Sequence, residues 1–189
     1  MKRWKDKVYL RDGKNSAATA ILHRRIQARN WLDHENRWRP YLLQTLLVWH
    51  RRKKLRRHWQ ESIGWDWRRI ADPRNYRTRI RCYSIESKGR TEGLMMLQVL
   101  RVERRRARIY VAYLEAAPWN RESLSRKLRY RGIGTVLLQE AVQYSLGSGN
   151  RGRIGLHSLS ASLEFYLDRG FVDFGPDRNA EGLHYLELP

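Results

Sequence analysis

Hydrophobic and polar residues alternate with a period of two through much of the second half of the chain. The alternation runs through residues 79–87 and 94–103, which are separated by a polar loop at 88–93, and it returns at Ile109 to Leu114 before Pro118. This pattern predicts a β-hairpin followed by a third strand.

Helical and strand patterns alternate in the rest of the chain. A helix is predicted for residues 135–146, and a short helix is predicted for residues 160–169, where Gly170 follows as a C-cap. Strands are predicted for residues 153–159, 171–177 and 183–188. From Arg77 onward the order is therefore β-β-β-α-β-α-β-β. This order indicates an α/β (α+β) fold with a mixed, mainly antiparallel central sheet flanked by helices.

The first 75 residues have a different pattern. Residues 7–13 alternate weakly and predict a short strand. With Ser16 as N-cap, a helix is predicted from apolar residues at helical spacing, namely Ala17, Ala20, Ile21 and Ile26. A second helix is predicted after Pro40. We therefore expect a basic helical region rich in tryptophan and arginine over residues 1–75 and a core domain over 76–189. Whether the first region completes the core or forms an arm stays open.

A glycine-rich turn precedes the longest predicted helix of the second half. The segment 129–135 reads RYRGIGT, so two arginines and two glycines lie where the first helical amides have no partner within the helix. Such a turn suits an anion, because glycine lets the backbone approach closely and the helix dipole is positive there. The alternative is a loop that only joins two elements. The segment has no Gly-Lys-Ser/Thr sequence, which excludes a Walker A loop, and it lacks the third glycine of a dinucleotide-binding turn.

The turn resembles the Arg/Gln-x-x-Gly-x-Gly/Ala signature of the GNAT superfamily of acetyltransferases. Around it, the strand IYVAYLEAAPWNR (109–121) is similar to the fourth strand of that family, and LHSLSASLEFYLDRGF (156–171) is similar to the strand and helix that end in Phe/Leu-Tyr-x-x-x-Gly-Phe. Two closing strands complete the family's order. The resemblance covers about residues 77–189.

The resemblance implies acetyl-CoA as the cofactor. Its pyrophosphate would lie on the amides of the turn with the arginines nearby, and its pantetheine arm would pair with the end of the strand at 109–117. The implied cofactor-binding residues are Leu114, Ala116, Ala117, Arg129, Tyr130, Arg131, Gly132, Ile133, Gly134 and Thr135.

The resemblance also implies two catalytic residues. Tyr166 would protonate the leaving thiolate, and its alternative is a buried structural tyrosine. Glu115 would accept the proton of the amine, directly or through water, and its alternative is an outward-facing glutamate, because strand register is not fixed by sequence. The chain has Leu159 where the family often has an asparagine that contacts the CoA arm, so Ser158 or Ser160 would substitute. His157 is either a hydrogen-bonded structural residue, which we favour, or a second base or substrate contact.

The charge of the chain suggests anionic partners. The net charge is +20, and residues 1–60 contain 17 basic and 4 acidic side chains. Dense basic segments at Arg51–Arg57 and Arg104–Arg108 predict contact with nucleic acid or a ribonucleoprotein, or else a solvated basic face. The expected function is N-acetylation of an amine on a protein or near nucleic acid. One alternative is a catalytically silent module that binds nucleic acid or a protein assembly, and another is an ordinary small-amine acetyltransferase.

The single cysteine, Cys82, excludes an internal disulfide and a cysteine metal cluster, and we expect it to pack as a small apolar residue, with a catalytic thiol as the alternative. No apolar run is long enough for a membrane span. We therefore expect a cytoplasmic protein without a metal site.

Overall fold

The computed structural model describes residues 5–51, 61–100 and 108–189. Nine strands are described: β1 (Lys5–Asp12), β2 (Ala17–His23), β3 (Arg79–Ser87), β4 (Arg90–Val99), β5 (Ile109–Ala116), β6 (Tyr130–Arg131), β7 (Ile154–Ser158), β8 (Val172–Pro176) and β9 (His184–Leu188). Five α-helices are described: α1 (Ala28–Asp33), α2 (Arg39–Arg51), α3 (Trp67–Ile70), α4 (Ile133–Gly147) and α5 (Leu163–Leu167). A π-helical turn, His34–Trp38, joins α1 to α2.

All nine strands form one sheet in the order β6-β1-β2-β3-β4-β5-β7-β9-β8. Every neighbouring pair is antiparallel except β5 and β7, which run parallel. The helix α4 makes the connection between these two strands, as a parallel pair requires. The predicted fold class, a mixed and mainly antiparallel sheet flanked by helices, is confirmed.

The two faces of the sheet carry separate apolar clusters. On one face, α4 and α5 pack on β4, β5, β7 and β9 through a large cluster that includes Leu137, Leu156 and Tyr166. At Gly93 of β4 the helix approaches so closely that an added Cβ would lie 2.4 Å from Ile133 Cγ2. On the other face, the helical segments of the first half cover the sheet with Trp38 and Trp67, which are both fully buried.

The hairpin between β3 and β4 is confirmed, but its loop is shorter than the sequence predicts. Pairing continues to Ser87 opposite Arg90, so the turn consists of Lys88 and Gly89 alone. Both residues have positive φ, 49° and 70°, as a two-residue turn between right-twisted strands requires. Thr91 and the two residues after it, predicted as loop, belong to β4.

The helix predicted from Ser16 is wrong, because Ala17–His23 is the strand β2. Alanine spacing fitted a helix, but β2 is held by pairing on both sides, with β1 along most of its length and with β3 at Ile21 to His23. The short strand predicted at 7–13 is confirmed as part of β1. The first strands thus extend the same sheet, and the division of the chain at residue 76 stays a prediction.

The basic segments at Arg51–Arg57 and Arg104–Arg108 lie almost entirely outside the described residues. Arg108 is described, and it is exposed. The longest described helix, α4, has 15 residues, and none of the described helices combines the length and hydrophobicity that crossing a membrane requires. In the described part of the chain, His, Cys, Asp and Glu side chains nowhere gather in groups of three or more as metal ligands would.

Candidate functional site

The sheet opens between β5 and β7. Over their described lengths these strands pair at one position, Tyr110 opposite Gly155, although β5 continues to Ala116 and β7 to Ser158. Beyond the bridge the strands diverge, so the end of β5 presents backbone N–H and C=O groups toward the opening rather than to β7. A cleft of about 580 Å³ lies here, between Leu114 to Ala116, the start of α4 and the helix α5.

The first residues of α4 form one wall of this cleft. Gly132 is the N-cap residue and has φ 87°, in the left-handed region that favours glycine, and Gly132 to Thr135 all line the cleft. The first N–H groups of a helix have no acceptor within it and lie at the positive end of its dipole. The turn predicted as an anion site therefore lies on a cleft wall, with its donors available.

The second glycine of the turn has a different physical reason. Gly134 has no positive φ, but a Cβ at this position would lie 2.7 Å from Cζ of Phe165. The ring of Phe165 is covered by the guanidinium of Arg169, whose Cζ lies 3.6 Å from the ring centroid. Arg169 Nε also donates to the Thr135 hydroxyl at 3.1 Å. Gly134 thus allows α5 to approach α4, which brings Arg169 to the cleft beside the helix start.

The two arginines of the turn lie in different surroundings. Arg131 lines the cleft and is paired with Glu122 on the opposite rim. Arg129 is not among the lining residues, because its guanidinium lies 3.1 Å from the fully buried carboxylate of Glu92. Burial raises the pKa of Glu92 and outweighs the hydrogen bonds from its neighbours, which lower it. Arg129 therefore neutralises a buried charge beneath the cleft.

Two further residues of the predicted cofactor set lie beneath the cleft surface. Tyr130 is buried, and its hydroxyl accepts a hydrogen bond from Ser87 at 3.1 Å. Ala117 is fully buried in the cluster with Trp38, and its N–H donates to the carbonyl of Glu92 at 2.9 Å. The structure brings the other seven to the cleft wall: Leu114, Ala116, Arg131, Gly132, Ile133, Gly134 and Thr135.

Glu115 lies on the floor of the cleft with its carboxylate buried among donors. Oε2 accepts from the indole N–H of Trp67 at 2.6 Å and lies 3.3 Å from Nε2 of His34, while Oε1 accepts from Arg121 at 2.5 Å. Burial opposes ionisation of this carboxyl, but Arg121, His34 and Trp67 outweigh it, so the pKa of Glu115 is lowered. The outward-facing alternative for Glu115 is wrong, because its side chain is only 1% exposed.

Arg121 connects Glu115 to the surrounding backbone. Its Nε donates to the Ala116 carbonyl at 2.7 Å, and a terminal nitrogen donates to the Ser62 hydroxyl at 3.1 Å. Arg121 was not among the site residues predicted from the sequence. Its position just after a proline-bearing loop at the end of β5 was the available signal, since a conformationally fixed arginine can hold a carboxylate with two nitrogens.

Tyr166 lies on α5 and lines the cleft. Its ring packs at right angles between Phe165 and Phe171, with centroid separations of 5.0 and 5.5 Å. Burial, together with the nearby Tyr110, raises the pKa of Tyr166 well above its ordinary value. The phenol therefore carries its proton throughout the neutral range.

The residues around the missing family asparagine divide between cleft and sheet. Leu159 lines the cleft, whereas Ser158 is buried and donates to the Leu159 carbonyl at 2.9 Å. Ser160 is exposed and is not among the lining residues. His157 lies on the sheet face away from α4, between Tyr110 and Asp177.

Comparison with solved structures finds the same architecture in acetyltransferases. A GNAT-family acetyltransferase from Desulfovibrio desulfuricans superposes with a TM-score of 0.59 over 89% of this chain and 98% of its own, at 12% identity. One from Listeria monocytogenes gives 0.58 over 97% and 99%, at 11% identity. PaiA N-acetyltransferase from Thermoplasma acidophilum, solved with coenzyme A, gives 0.54 over 89% and 97%, at 16% identity.

At the level of sequence, neither the family models nor the curated proteins contain a match to this chain. The structural likeness nevertheless extends over most of this chain and nearly the whole length of the two GNAT-family structures. The chain therefore has the GNAT acetyltransferase fold.

Proposed function

We propose that this protein is an N-acetyltransferase that transfers the acetyl group of acetyl-CoA to an amine. The observation that carries the proposal is the cleft at the opened β5–β7 pair, which brings the end of β5, not paired with β7, next to the start of α4. A thioester with a long amide-bearing arm and a pyrophosphate needs both features together. Acetyl-CoA would supply the activated acyl group.

The described residues fit this ligand in two places. The strand end Leu114 to Ala116 would pair with the amides of the pantetheine arm as a neighbouring strand would. The amides from Gly132 to Thr135 would hold the pyrophosphate, with Arg131 and Arg169 adding positive charge at the same wall. Gly132, in the left-handed region, has no side chain and so leaves this wall open for a ligand. The space beside it is empty, because a Cβ built there would meet nothing within 4 Å.

In the proposed reaction Tyr166 acts as the general acid. Its raised pKa keeps the hydroxyl protonated, so it can donate to the sulfur as the thiolate leaves. Glu115 as the base stays a prediction. Its lowered pKa and its hydrogen bonds from Arg121 and Trp67 weaken it as a proton acceptor and favour a role in holding these two residues at the floor of the cleft.

The acceptor is proposed to be an amine on a protein or on a molecule associated with nucleic acid. The support is the net charge of +20, because a strongly basic protein attracts polyanions and the molecules bound to them. A catalytically silent module is the second candidate, and the observation that favours it is the engagement of Glu115 by Arg121, His34 and Trp67.

Calorimetric titration with acetyl-CoA tests the ligand. We expect the native protein to bind and the variant Gly132→Asp to lose binding, because the new carboxylate would repel the pyrophosphate. The matched control is Gly149→Asp, which changes another exposed glycine of positive φ at the opposite end of α4, where a Cβ also meets nothing. Native protein that fails to bind, or equal binding in both variants, would contradict the proposal.

Thiol release separates the enzyme from the silent module. A tryptic digest of cell protein supplies a pool of primary amines, and free thiol is followed after addition of acetyl-CoA. We expect Tyr166→Phe to bind acetyl-CoA normally and to lower kcat by about 10²–10⁴, the usual contribution of general acid catalysis. Thiol release in both native protein and Tyr166→Phe no faster than in the absence of protein would favour the silent module.

A further inference from the structure

Three side chains form a hydrogen-bonded chain on the sheet face away from α4. The Tyr110 hydroxyl on β5 lies 2.8 Å from Nδ1 of His157 on β7, and Nε2 of His157 lies 3.1 Å from Oδ2 of Asp177, just after β8. The side chains of His157 and Asp177 are 11% and 9% exposed. The other carboxylate oxygen of Asp177 accepts the N–H of Asn179 at 2.9 Å, which fixes its orientation.

The chemistry of these groups determines which atom donates and which accepts in each of the two hydrogen bonds. An ionised carboxylate only accepts, so the hydrogen bond to Asp177 places the proton of a neutral His157 on Nε2. Nδ1 then carries the lone pair and accepts the Tyr110 hydroxyl hydrogen. A proton that enters at the phenol oxygen can therefore pass to Nδ1, and the imidazolium that results lies against the Asp177 carboxylate.

The position of Tyr110 places one end of this series of hydrogen bonds at the opening between β5 and β7. Tyr110 is the residue of β5 that pairs with Gly155, so it lies at the apex where the two strands begin to diverge. Its neighbours Ile109 and Val111 face the cluster under α4, and alternation places Tyr110 on the other face. Burial raises the pKa of Tyr166, and electrostatic interaction with Tyr110 acts in the same direction.

The apex is also where the reacting end of the ligand would lie. An arm that begins at the α4 amides and follows Leu114 to Ala116 runs toward Tyr110, four residues or roughly 13 Å along the strand from Leu114. An acceptor amine that approaches from the face opposite α4 would meet the thioester beside Tyr110. Glu115 is already held by its own donors.

We propose that Tyr110, His157 and Asp177 form the proton relay that receives the proton lost by the acceptor amine, an inference that rests on the proposed function. Tyr110 touches the amine, and His157 and Asp177 act through it as positioning residues.

In the proposed acetyl transfer, the amine nitrogen forms a bond to the thioester carbonyl carbon, and the bond from that carbon to sulfur breaks. The amine gives one proton to the Tyr110 oxygen while Tyr110 gives its own proton to His157, and Tyr166 gives its proton to the leaving sulfur. The proton then returns from His157 through Tyr110 to the phenolate of Tyr166, so the products are the acetamide and the free CoA thiol.

Steady-state kinetics of thiol release, with acetyl-CoA and the tryptic amine pool, tests the relay. The variants are Tyr110→Phe, His157→Gln and Asp177→Asn, and the last keeps an oxygen for the Asn179 amide. The matched control is Tyr185→Phe, because Tyr185 packs on His157 with a centroid separation of 5.1 Å but its hydroxyl donates to Glu187, outside the relay.

We expect kcat to fall about 100-fold in Tyr110→Phe and in His157→Gln, and about tenfold in Asp177→Asn, with the KM for acetyl-CoA within about twofold of native. The Tyr185→Phe control should keep the native kcat. If Tyr110→Phe does not fold, the kcat of Asp177→Asn decides whether the relay operates. Relay variants with the kcat of the control, or a raised KM with native kcat, would overturn the relay alone. A native protein that releases no thiol would overturn the proposed function and the relay together.

Discussion

The contact between Gly134 and Phe165 allows a sharp test of how α4 and α5 form the cleft. In Gly134→Ala the new methyl would lie 2.7 Å from Cζ of Phe165 and 3.3 and 3.6 Å from the two Cε atoms, so it meets the outer edge of the ring. The ring must move by about 0.7 Å to restore an ordinary contact near 3.4 Å. Its movement is restricted by Arg169, which lies 3.6 Å from the centroid, and by Tyr166.

The magnitude follows from these contacts. Overpacking of a well-filled site costs about 1–3 kcal/mol, and the loss of the Arg169 contact adds about 0.5–1 kcal/mol. Alanine in place of glycine within a helix returns up to about 1 kcal/mol. We therefore expect Gly134→Ala to lower the free energy of unfolding by about 1–2 kcal/mol. It should also weaken acetyl-CoA binding, since Arg169 is displaced from the cleft wall.

Denaturant unfolding of a double-mutant cycle measures the effect. The second substitution, Phe165→Leu, removes the edge of the ring that the methyl meets, so the double variant should be more stable than the sum of the single effects by about 1 kcal/mol. The control is Gly147→Ala at the opposite end of α4, where a Cβ meets nothing and φ is not positive. Gly134→Ala as stable as this control, or strict additivity with Phe165→Leu, would refute the reasoning.

Two titratable side chains give further predictions. Because the folded pKa of Glu115 is lowered from its ordinary 4.5, its contribution to stability is present above that value and is lost as pH falls through the folded pKa. Glu115→Gln should therefore lower the free energy of unfolding by about 3–5 kcal/mol at pH 7. In denaturant unfolding, the variant should also lose the part of the acid dependence of stability that the Glu115 carboxylate causes. A pH profile unchanged in shape would contradict the assignment. Burial raises the pKa of the Cys82 thiol to about 12, so alkylation by iodoacetamide at pH 8 should be roughly a thousandfold slower than for a free cysteine and should recover in denaturant. Labelling of the native protein at the free rate would contradict the raised pKa of this thiol.

The fold of the second half was predictable because local patterns and tertiary structure agree there. Strands of period two, a glycine turn and a helix of 15 residues follow in an order that few sheets accommodate. The strand β2 was mistaken for a helix because its alanines fit helical spacing, whereas pairing holds it on both sides, with β1 along most of its length and with residues 84–86, about 60 positions away. A single sequence does not record such pairing.

The candidate site was predictable in its location and less so in its details. The face of Glu115 was left open by the sequence, and the reason lies in a bulge of β5, where Met96 pairs with Tyr113 and Leu97 with Val111. One extra residue reverses which side chains face which layer. The sequence predicted that Arg129 lies beside a phosphate. Its partner in the structure is Glu92, which lies 37 positions earlier in another strand and so could not be paired with it from the sequence. The role of Gly134 depends on Phe165 in the same way.

The central claim is that the cleft at the opened β5–β7 pair transfers acetyl from acetyl-CoA to an amine. Its most direct test is incubation of the protein with isotope-labelled acetyl-CoA and the tryptic amine pool, followed by mass spectrometry of the peptides and quantification of free thiol. The account predicts labelled acetamides in an amount equal to the thiol released, and their loss in Tyr166→Phe. Acetyl-CoA left intact, or converted only to labelled acetate, would contradict it.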